Sequence, residues 1–160
     1  MGCGKASVGR LLASRLGCDF VDLDAVVVSE AGVGVQEILS LRGEPAFREL
    51  ESRALARIAA RAGSVVSTGA GAVLAQQNRS IMRQAGTVVN LTASVAVIAS
   101  RLLGDGATPL LEEDLPIELI RNLLAEREPY YADADLRLDT TTKTVEAVVD
   151  EIQDALKGSL

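Results

Sequence analysis

Histidine and tryptophan are absent from this chain of 160 residues, and cysteine occurs only twice. Without histidine, the chain has neither a histidine-based catalytic triad nor the usual ligand of a zinc site. Cys3 and Cys18 are too few for a disulfide framework. The cysteine content therefore favours a reducing compartment, and we expect a cytoplasmic protein.

Positive charge and long apolar runs are also scarce. The net charge of −6 argues against nucleic acid or an anionic membrane as the main partner. No apolar run is long enough to cross a bilayer, and the N-terminus lacks the pattern of a secretory signal. The chain is instead 48% apolar, which together with its length predicts one domain with a hydrophobic core.

The apolar pattern predicts short strands that alternate with helices, which is typical of a parallel α/β sheet covered on both faces. Gly43 is expected to separate two helices, and Arg48 and Glu51, beside the apolar stripe of the second, are interpreted as a solvated face. The expected strands cover residues 19–24, 64–68, 87–91 and 136–140.

Candidate ligand-binding residues lie at the carboxyl ends of the first two predicted strands, at the edge where α/β sheets bind ligands. Alternation along a strand would place Asp22 and Asp24 on one side, facing the same ligand. The alternative is that Asp24 only caps the next helix. The loop Gly69-Ala70-Gly71 follows the second strand, and its backbone could approach a ligand closely.

The stretch Gly2-Cys3-Gly4-Lys5-Ala6-Ser7 precedes a predicted helix and is similar to the second half of a phosphate-binding P-loop. In such loops, backbone N–H groups and the helix N-terminus face phosphate oxygens, and the lysine reaches the β- and γ-phosphates. The alternative is an ordinary flexible turn before a helix.

Several ordered motifs together resemble the shikimate kinase family, of the nucleoside monophosphate kinase-like P-loop branch. Their order and spacing match nearly the whole chain. The matching motifs are Gly2-Cys3-Gly4-Lys5 with Val8-Gly9-Arg10-Leu11-Leu12-Ala13, Phe20-Val21-Asp22-Leu23-Asp24, Gly43-Glu44-Pro45-Ala46-Phe47-Arg48-Glu49-Leu50-Glu51, Ser67-Thr68-Gly69-Ala70-Gly71-Ala72-Val73, Pro109-Leu110-Leu111 and Glu126-Arg127-Glu128-Pro129-Tyr130-Tyr131.

The resemblance implies a three-layer P-loop kinase fold with a parallel sheet of strand order 2-3-1-4-5. It implies a single domain over residues 1–160, a lid at about residues 104–115 that closes over the substrates, and a monomer. The family's first strand, which precedes the P-loop, is expected to be missing or to lie upstream of Met1. A sheet without that strand would leave backbone groups of its two neighbours unpaired.

The resemblance also implies a reaction, the transfer of the γ-phosphoryl group of ATP to the 3-hydroxyl of shikimate. Asp24 matches the family's catalytic base and substrate contact. Arg48 and Arg127 match the guanidinium groups that bind the shikimate carboxylate, a role that suits bidentate donors. Gly69, Ala70 and Gly71 match the loop whose N–H groups approach the ring.

On the nucleotide side, the resemblance assigns Gly2, Cys3, Gly4, Lys5, Ala6 and Ser7 to the phosphates, with Lys5 catalytic. Asp22 would hold Mg²⁺ through water. Arg101 and Lys143 match basic residues around the adenine. The implied partners are thus shikimate and ATP, with Mg²⁺ as cofactor.

Three residues depart from the family pattern and predict low turnover. Ala6 replaces the hydroxyl residue that binds Mg²⁺, and Thr108 replaces a lid arginine that contacts ATP. Ala70 replaces the middle of three glycines, which would cost about 1–2 kcal/mol in a left-handed conformation and nothing at negative φ.

Two alternatives to a working shikimate kinase remain open. One is a catalytically impaired relative that keeps the substrate-binding residues and acts as a binding protein. The other is a different small-molecule P-loop kinase, such as a gluconate kinase, which fits less well because paired arginines suit an acidic substrate.

Overall fold

The computed structural model describes residues 2–61, 63–105 and 117–158 of the chain. The described residues form four short strands, β1 (Asp19–Asp22), β2 (Ser64–Ser67), β3 (Val89–Thr92) and β4 (Leu136–Asp139). They also form the helices α1 (Lys5–Leu16), α2 (Leu23–Ala31), α3 (Val35–Ala59), α4 (Gln76–Ala85), α5 (Val95–Asp105), α6 (Ile117–Tyr131) and α7 (Val145–Gly158), and a 3₁₀ turn, Ala72–Leu74.

The chain divides into two compact units, one of Met1–Leu12 with Thr87–Leu160 and the other of Ala13–Gly86. We call them the terminal unit and the central unit. Each contains one pair of parallel strands, β1 with β2 in the central unit and β3 with β4 in the terminal unit. These are the neighbour pairs that the order 2-3-1-4-5 predicts for the strands after the first. The single-domain organisation stays a prediction.

Each unit has its own apolar core. In the central unit, the core joins α2, α3 and the 3₁₀ turn, and its fully buried residues include Leu23, Ile38 and Ala54. In the terminal unit, Cys3 of the loop before α1 packs with Ile98 of α5 and Ile120 of α6. Packing Cys3 into this core fixes the start of the chain against α5.

Gly43 divides α3, as the sequence predicts. Its φ of 76° and ψ of 168° are not helical, so the segment is two helices that meet at a kink. Positive φ favours glycine at this position. Among the described residues, no helix is long and apolar enough to span a membrane.

Two predicted boundaries are wrong. The first strand ends at Asp22, because Asp22 Oδ1 accepts the N–H groups of Asp24 and Ala25 and so caps α2. Asp24 therefore lies in the first turn of α2, and the capping role proposed for it belongs to Asp22. Gly104 and Asp105, predicted as loop, are in α5. The rest of the expected lid, from residue 106, lies outside the described residues.

Candidate active site

The central unit brings an acidic and a basic side chain against the glycine loop after β2. A Cβ atom added to Gly69 would lie 2.9 Å from Asp24 Oδ1, and one added to Gly71 would lie 2.3 Å from Arg48 Nη2. Both distances are too short for a real side chain. A methyl group at either glycine would therefore have to displace the Asp24 carboxylate or the Arg48 guanidinium, which occupy the space beside the loop. We call Asp24, Arg48, Glu51 and the loop Gly69–Gly71 the acid–arginine cluster.

Ala70, between these glycines, is not strained. No residue other than glycine has positive φ within the described part of the chain. The methyl group of Ala70 therefore avoids the cost that a left-handed conformation would impose, and this departure from the family pattern is conformationally harmless.

The resemblance implies that Arg48 binds the shikimate carboxylate, so Gly71→Ala is expected to weaken shikimate binding at least about tenfold. Its methyl group displaces the Arg48 guanidinium, and a hydrogen bond to a charged group contributes about 1.5–3 kcal/mol. The guanidinium ends a flexible side chain, so the thermal midpoint should fall only slightly. Ala70→Gly is the matched control and should leave binding within about twofold. Calorimetric titration with shikimate measures both, and equal affinities for the two variants would contradict the placement of Arg48.

Two acidic residues hold Arg48 in place. Its Nη1 donates to Glu51 Oε2 at 3.0 Å, and its Nη2 donates to Glu44 Oε1 at 3.0 Å. Glu51 is completely buried, whereas the Glu44 side chain is 62% exposed. The prediction that Arg48 and Glu51 form a solvated face is therefore wrong for Glu51. The buried ion pair keeps the Arg48 guanidinium at the glycine loop.

Burial raises the pKa of the Glu51 carboxyl above its ordinary value. Arg48 acts in the opposite direction, and the charges of Asp24 and Glu44 add to the increase. Among the described residues, Glu51 Oε1 has no hydrogen-bond donor. Glu51 is thus a buried acid with one oxygen on Arg48 and the other beside Gly69.

The raised pKa of Glu51 makes a prediction about stability and pH. The folded state binds the Glu51 proton more tightly than the unfolded state does. Protonation therefore adds to the free energy of unfolding. This stabilisation is fully present below the pKa of Glu51 in the unfolded chain, about 4.3, and is lost as the pH rises through its pKa in the folded protein. The free energy of unfolding of the wild type minus that of Glu51→Gln should therefore be larger at about pH 5 than at about pH 8, as measured by urea unfolding. Glu44→Gln is the exposed control, and its free energy of unfolding should stay within about 0.5 kcal/mol of the wild-type value at both pH values. A wild-type advantage that grows with pH would contradict the assignment.

The phosphate loop, residues 2–7, lies in the terminal unit with the start of α1. Gly2 and Gly4 have φ of 62° and 80°, which are left-handed values that glycine adopts at little cost. A Cβ on Gly2 would lie 3.1 Å from Ile98 Cγ2, so this residue also packs closely against α5. Lys5 begins α1, at the helix end where backbone N–H groups attract anions.

A cavity of about 300 Å³ opens beside the phosphate loop. Its walls include both Arg101 and Lys143, the two residues that the family resemblance assigns to the adenine. Arg101 donates to Gly2 O and Thr140 O, and Lys143 Nζ lies 2.7 Å from Glu151 Oε2. The remaining lining residues are Gly2, Cys3, Gly4, Ser7, Val8, Thr140, Thr144, Val145 and Val148.

Arg127, on α6 of the terminal unit, makes a hydrogen bond to the Tyr131 hydroxyl one turn further along the helix. Burial raises the pKa of Tyr131 above its ordinary value, and this hydrogen bond opposes the rise. Arg127 and Arg48 belong to different units. Their joint binding of one carboxylate stays a prediction.

The residues that could hold Mg²⁺ are few. Within residues 2–61, 63–105 and 117–158, no group of three or more histidine, cysteine, aspartate or glutamate side chains could hold a metal ion. The Ala6 side chain offers no oxygen, and Asp22 Oδ1 accepts hydrogen bonds from two backbone N–H groups. Mg²⁺ commonly keeps several waters and binds through substrate phosphates, so an ion that arrived with a nucleotide would need few protein ligands.

Comparison with known proteins identifies the family of this chain. The family model for shikimate kinase matches residues 1–157. The chain belongs to the shikimate kinase family. It is 51% identical to a shikimate kinase of Geobacter metallireducens over 99% of this chain and 88% of that protein. It is 53% identical to a shikimate kinase of Geobacter sulfurreducens, over 95% and 84%.

Solved shikimate kinases share the fold. A structure from Acinetobacter baumannii in complex with shikimate has a TM-score of 0.93 and 32% identity, covering 99% of this chain and 89% of that one. One from Aquifex aeolicus has a TM-score of 0.86 and 33% identity, covering 99% and 93%. The predictions of the family, of its α/β P-loop kinase fold and of a phosphotransferase that acts on shikimate are confirmed.

Two buried polar residues, Glu51 of the central unit and Thr140 of the terminal unit, were not among the predicted site residues, and Glu51 was predicted to be solvated. Glu51 follows Phe47 and precedes Leu55 by one helical turn each, and both neighbours are buried. That spacing is a signal for a buried face, and it could have identified Glu51. Thr140, 3% exposed, directly follows β4, and no pattern in the sequence distinguishes it from Thr141 or Thr142.

Proposed function

We propose that this member of the shikimate kinase family uses the γ-phosphoryl group of ATP to phosphorylate the 3-hydroxyl of shikimate, giving shikimate 3-phosphate. The observation that carries the proposal is the acid–arginine cluster, in which the Asp24 carboxylate and the Arg48 guanidinium both lie against the same glycine loop. Shikimate, which carries a carboxylate and hydroxyl groups on one ring, presents complementary groups.

On the substrate side, Asp24 accepts the proton of the attacking hydroxyl. Arg48, held by Glu51, binds the substrate carboxylate, and Arg127 supplies a second guanidinium for it. The backbone of Gly69, Ala70 and Gly71 approaches the ring. Phosphoryl transfer requires mainly positioning and charge stabilisation, which these groups supply without forming a covalent intermediate.

On the nucleotide side, the N–H groups of the phosphate loop, Gly2 to Ser7, and the side chain of Lys5 bind the phosphates. Arg101 and Lys143 border the cavity that takes the adenine. Asp22 would hold a Mg²⁺ ion through water, and the ion would supply positive charge at the nucleotide phosphates. We place this activity in the cytoplasm and assign it to a monomer.

A coupled assay of ADP release tests the proposal, with ³¹P NMR to identify the phosphorylated product. We expect ADP release that requires both shikimate and Mg²⁺. Gluconate, as the alternative substrate, should give only background release. Release at background level with shikimate, from protein that is fully folded by circular dichroism, would refute the proposed activity.

A second candidate, a binding protein with impaired turnover, is favoured by Ala6 and Thr108, which replace a metal-binding hydroxyl and a lid arginine of the family. Separate calorimetric titrations with shikimate and with ATP distinguish the two. A binding protein would bind shikimate at micromolar concentrations without measurable release of ADP.

A further inference from the structure

Two side chains hold carbonyl oxygens of the phosphate loop. Arg101 Nη1 donates to Gly2 O at 3.1 Å, and Thr140 Oγ1 donates to Cys3 O at 3.3 Å. Thr140 is 3% exposed, so its hydroxyl has little access to water. These residues all belong to the terminal unit. The loop is therefore held from the end of β4 as well as from its own helix.

The Thr140 hydroxyl has one proton and two acceptors within reach. Thr92 O lies 3.0 Å from Oγ1, slightly nearer than Cys3 O. Thr92 O already accepts the Thr140 N–H at 2.8 Å, so it stays hydrogen-bonded when the hydroxyl proton goes to Cys3 O. Arg101 Nη1 donates to the same hydroxyl at 3.3 Å, which uses a lone pair and leaves the proton for a carbonyl.

Because the peptide unit is planar, a contact that holds a carbonyl oxygen also fixes the direction of the N–H group in the same unit. In a trans peptide, the C=O and N–H of one unit point in opposite directions, and the described residues contain no cis peptide. Fixing Gly2 O therefore fixes the direction of the Cys3 N–H, and fixing Cys3 O fixes that of the Gly4 N–H. Cys3 and Gly4 both line the cavity beside the loop.

We propose that Thr140 is a positioning residue for phosphate binding, whose hydroxyl holds Cys3 O and thereby directs the Gly4 N–H toward the nucleotide phosphates. The proposal rests on the nucleotide-binding role proposed for the loop. Thr140 acts through the backbone and touches no reacting atom. Arg101 has the same effect on the Cys3 N–H, in addition to its position at the cavity.

Calorimetric titrations with ATP, ADP and adenosine test this role in the full chain. Thr140→Val keeps the shape of the side chain and removes the hydroxyl. Since a hydrogen bond contributes about 0.5–1.5 kcal/mol net, we expect ATP and ADP to bind about three- to tenfold more weakly. Adenosine, which has no phosphates, should bind within about twofold of wild type, and the affinity for shikimate should not change.

Thr140→Ser keeps the hydroxyl and should restore ATP affinity to within about twofold of wild type. Thr142→Val is the matched control, the same substitution at an exposed position after the same strand. If Thr140→Val does not fold, Thr140→Ala removes the hydroxyl without adding a second methyl group, and the same pattern is expected.

Each outcome decides the proposal. Equal weakening of adenosine and ATP would mean that Thr140 only supports the fold, and unchanged ADP affinity would remove the positioning role while leaving the proposed kinase intact. A wild type that binds neither ATP nor ADP would remove the proposed function and the positioning role together. The positioning role is supported if Thr140→Val weakens the binding of ATP and ADP but not of adenosine, and if Thr140→Ser restores the affinity for ATP.

Discussion

Asp24→Asn is expected to lower kcat by about 10²- to 10⁴-fold, the range that general base catalysis usually contributes. An amide cannot accept the proton of the shikimate hydroxyl, yet it has nearly the same shape as the carboxylate. Asp24 lies in the first turn of α2, held by the Asp22 cap, so the substitution should not disturb the helix. Steady-state assays of ADP release, with shikimate affinity measured by calorimetry, give the two quantities separately.

Asp19→Asn is the control for this prediction, since Asp19 is exposed at the start of β1, at the opposite end of the strand from Asp22. It should keep kcat within about twofold of wild type. If Asp24→Asn keeps more than about a tenth of the wild-type kcat while binding shikimate normally, Asp24 is not the base.

Thr108→Arg combined with Ala6→Ser is expected to produce the largest gain. Arginines that stabilise the charge of phosphoryl transfer contribute about 10³- to 10⁵-fold in related enzymes, so we expect a gain on the order of 10³-fold in kcat for the pair. Ala6→Ser restores a hydroxyl to the metal and should lower the Mg²⁺ concentration needed for half-maximal rate. Titration of the rate with Mg²⁺ separates this effect from that of the arginine.

Thr108→Lys with Ala6→Ser is the matched control for the arginine. Lysine restores the charge without the planar guanidinium, so it should recover only part of the gain. Because Thr108 lies outside the described residues, its correspondence to the family's lid arginine comes from the resemblance alone. No increase in kcat from the arginine variant would mean that this correspondence is wrong.

Local sequence was sufficient to predict features that depend on a single helix or strand. The break at Gly43 was predictable because glycine tolerates positive φ, and the helix after the phosphate loop was predictable from its apolar spacing. The strand that was expected to reach Asp24 stops at Asp22, because a side-chain cap competes with further extension.

Features that depend on contacts between elements were harder to predict. Glu51 is buried because Arg48 neutralises it and the glycine loop covers it, and that loop is distant in sequence. Thr140 reaches the carbonyl of Cys3 across 137 positions of the chain. Such contacts depend on which strand ends meet at the same edge of a unit, and alternation along a single strand does not specify that.

Calorimetric comparison of shikimate with its methyl ester tests whether the acid–arginine cluster binds a hydroxylated acid through its carboxylate. We predict that wild type binds shikimate at least about tenfold more tightly than the ester, because loss of a bidentate charged contact costs more than about 1.4 kcal/mol. In Arg48→Lys, which lacks the bidentate fork, this preference should shrink to about threefold or less. Equal affinity of the wild type for the acid and the ester would mean that the cluster does not bind the carboxylate.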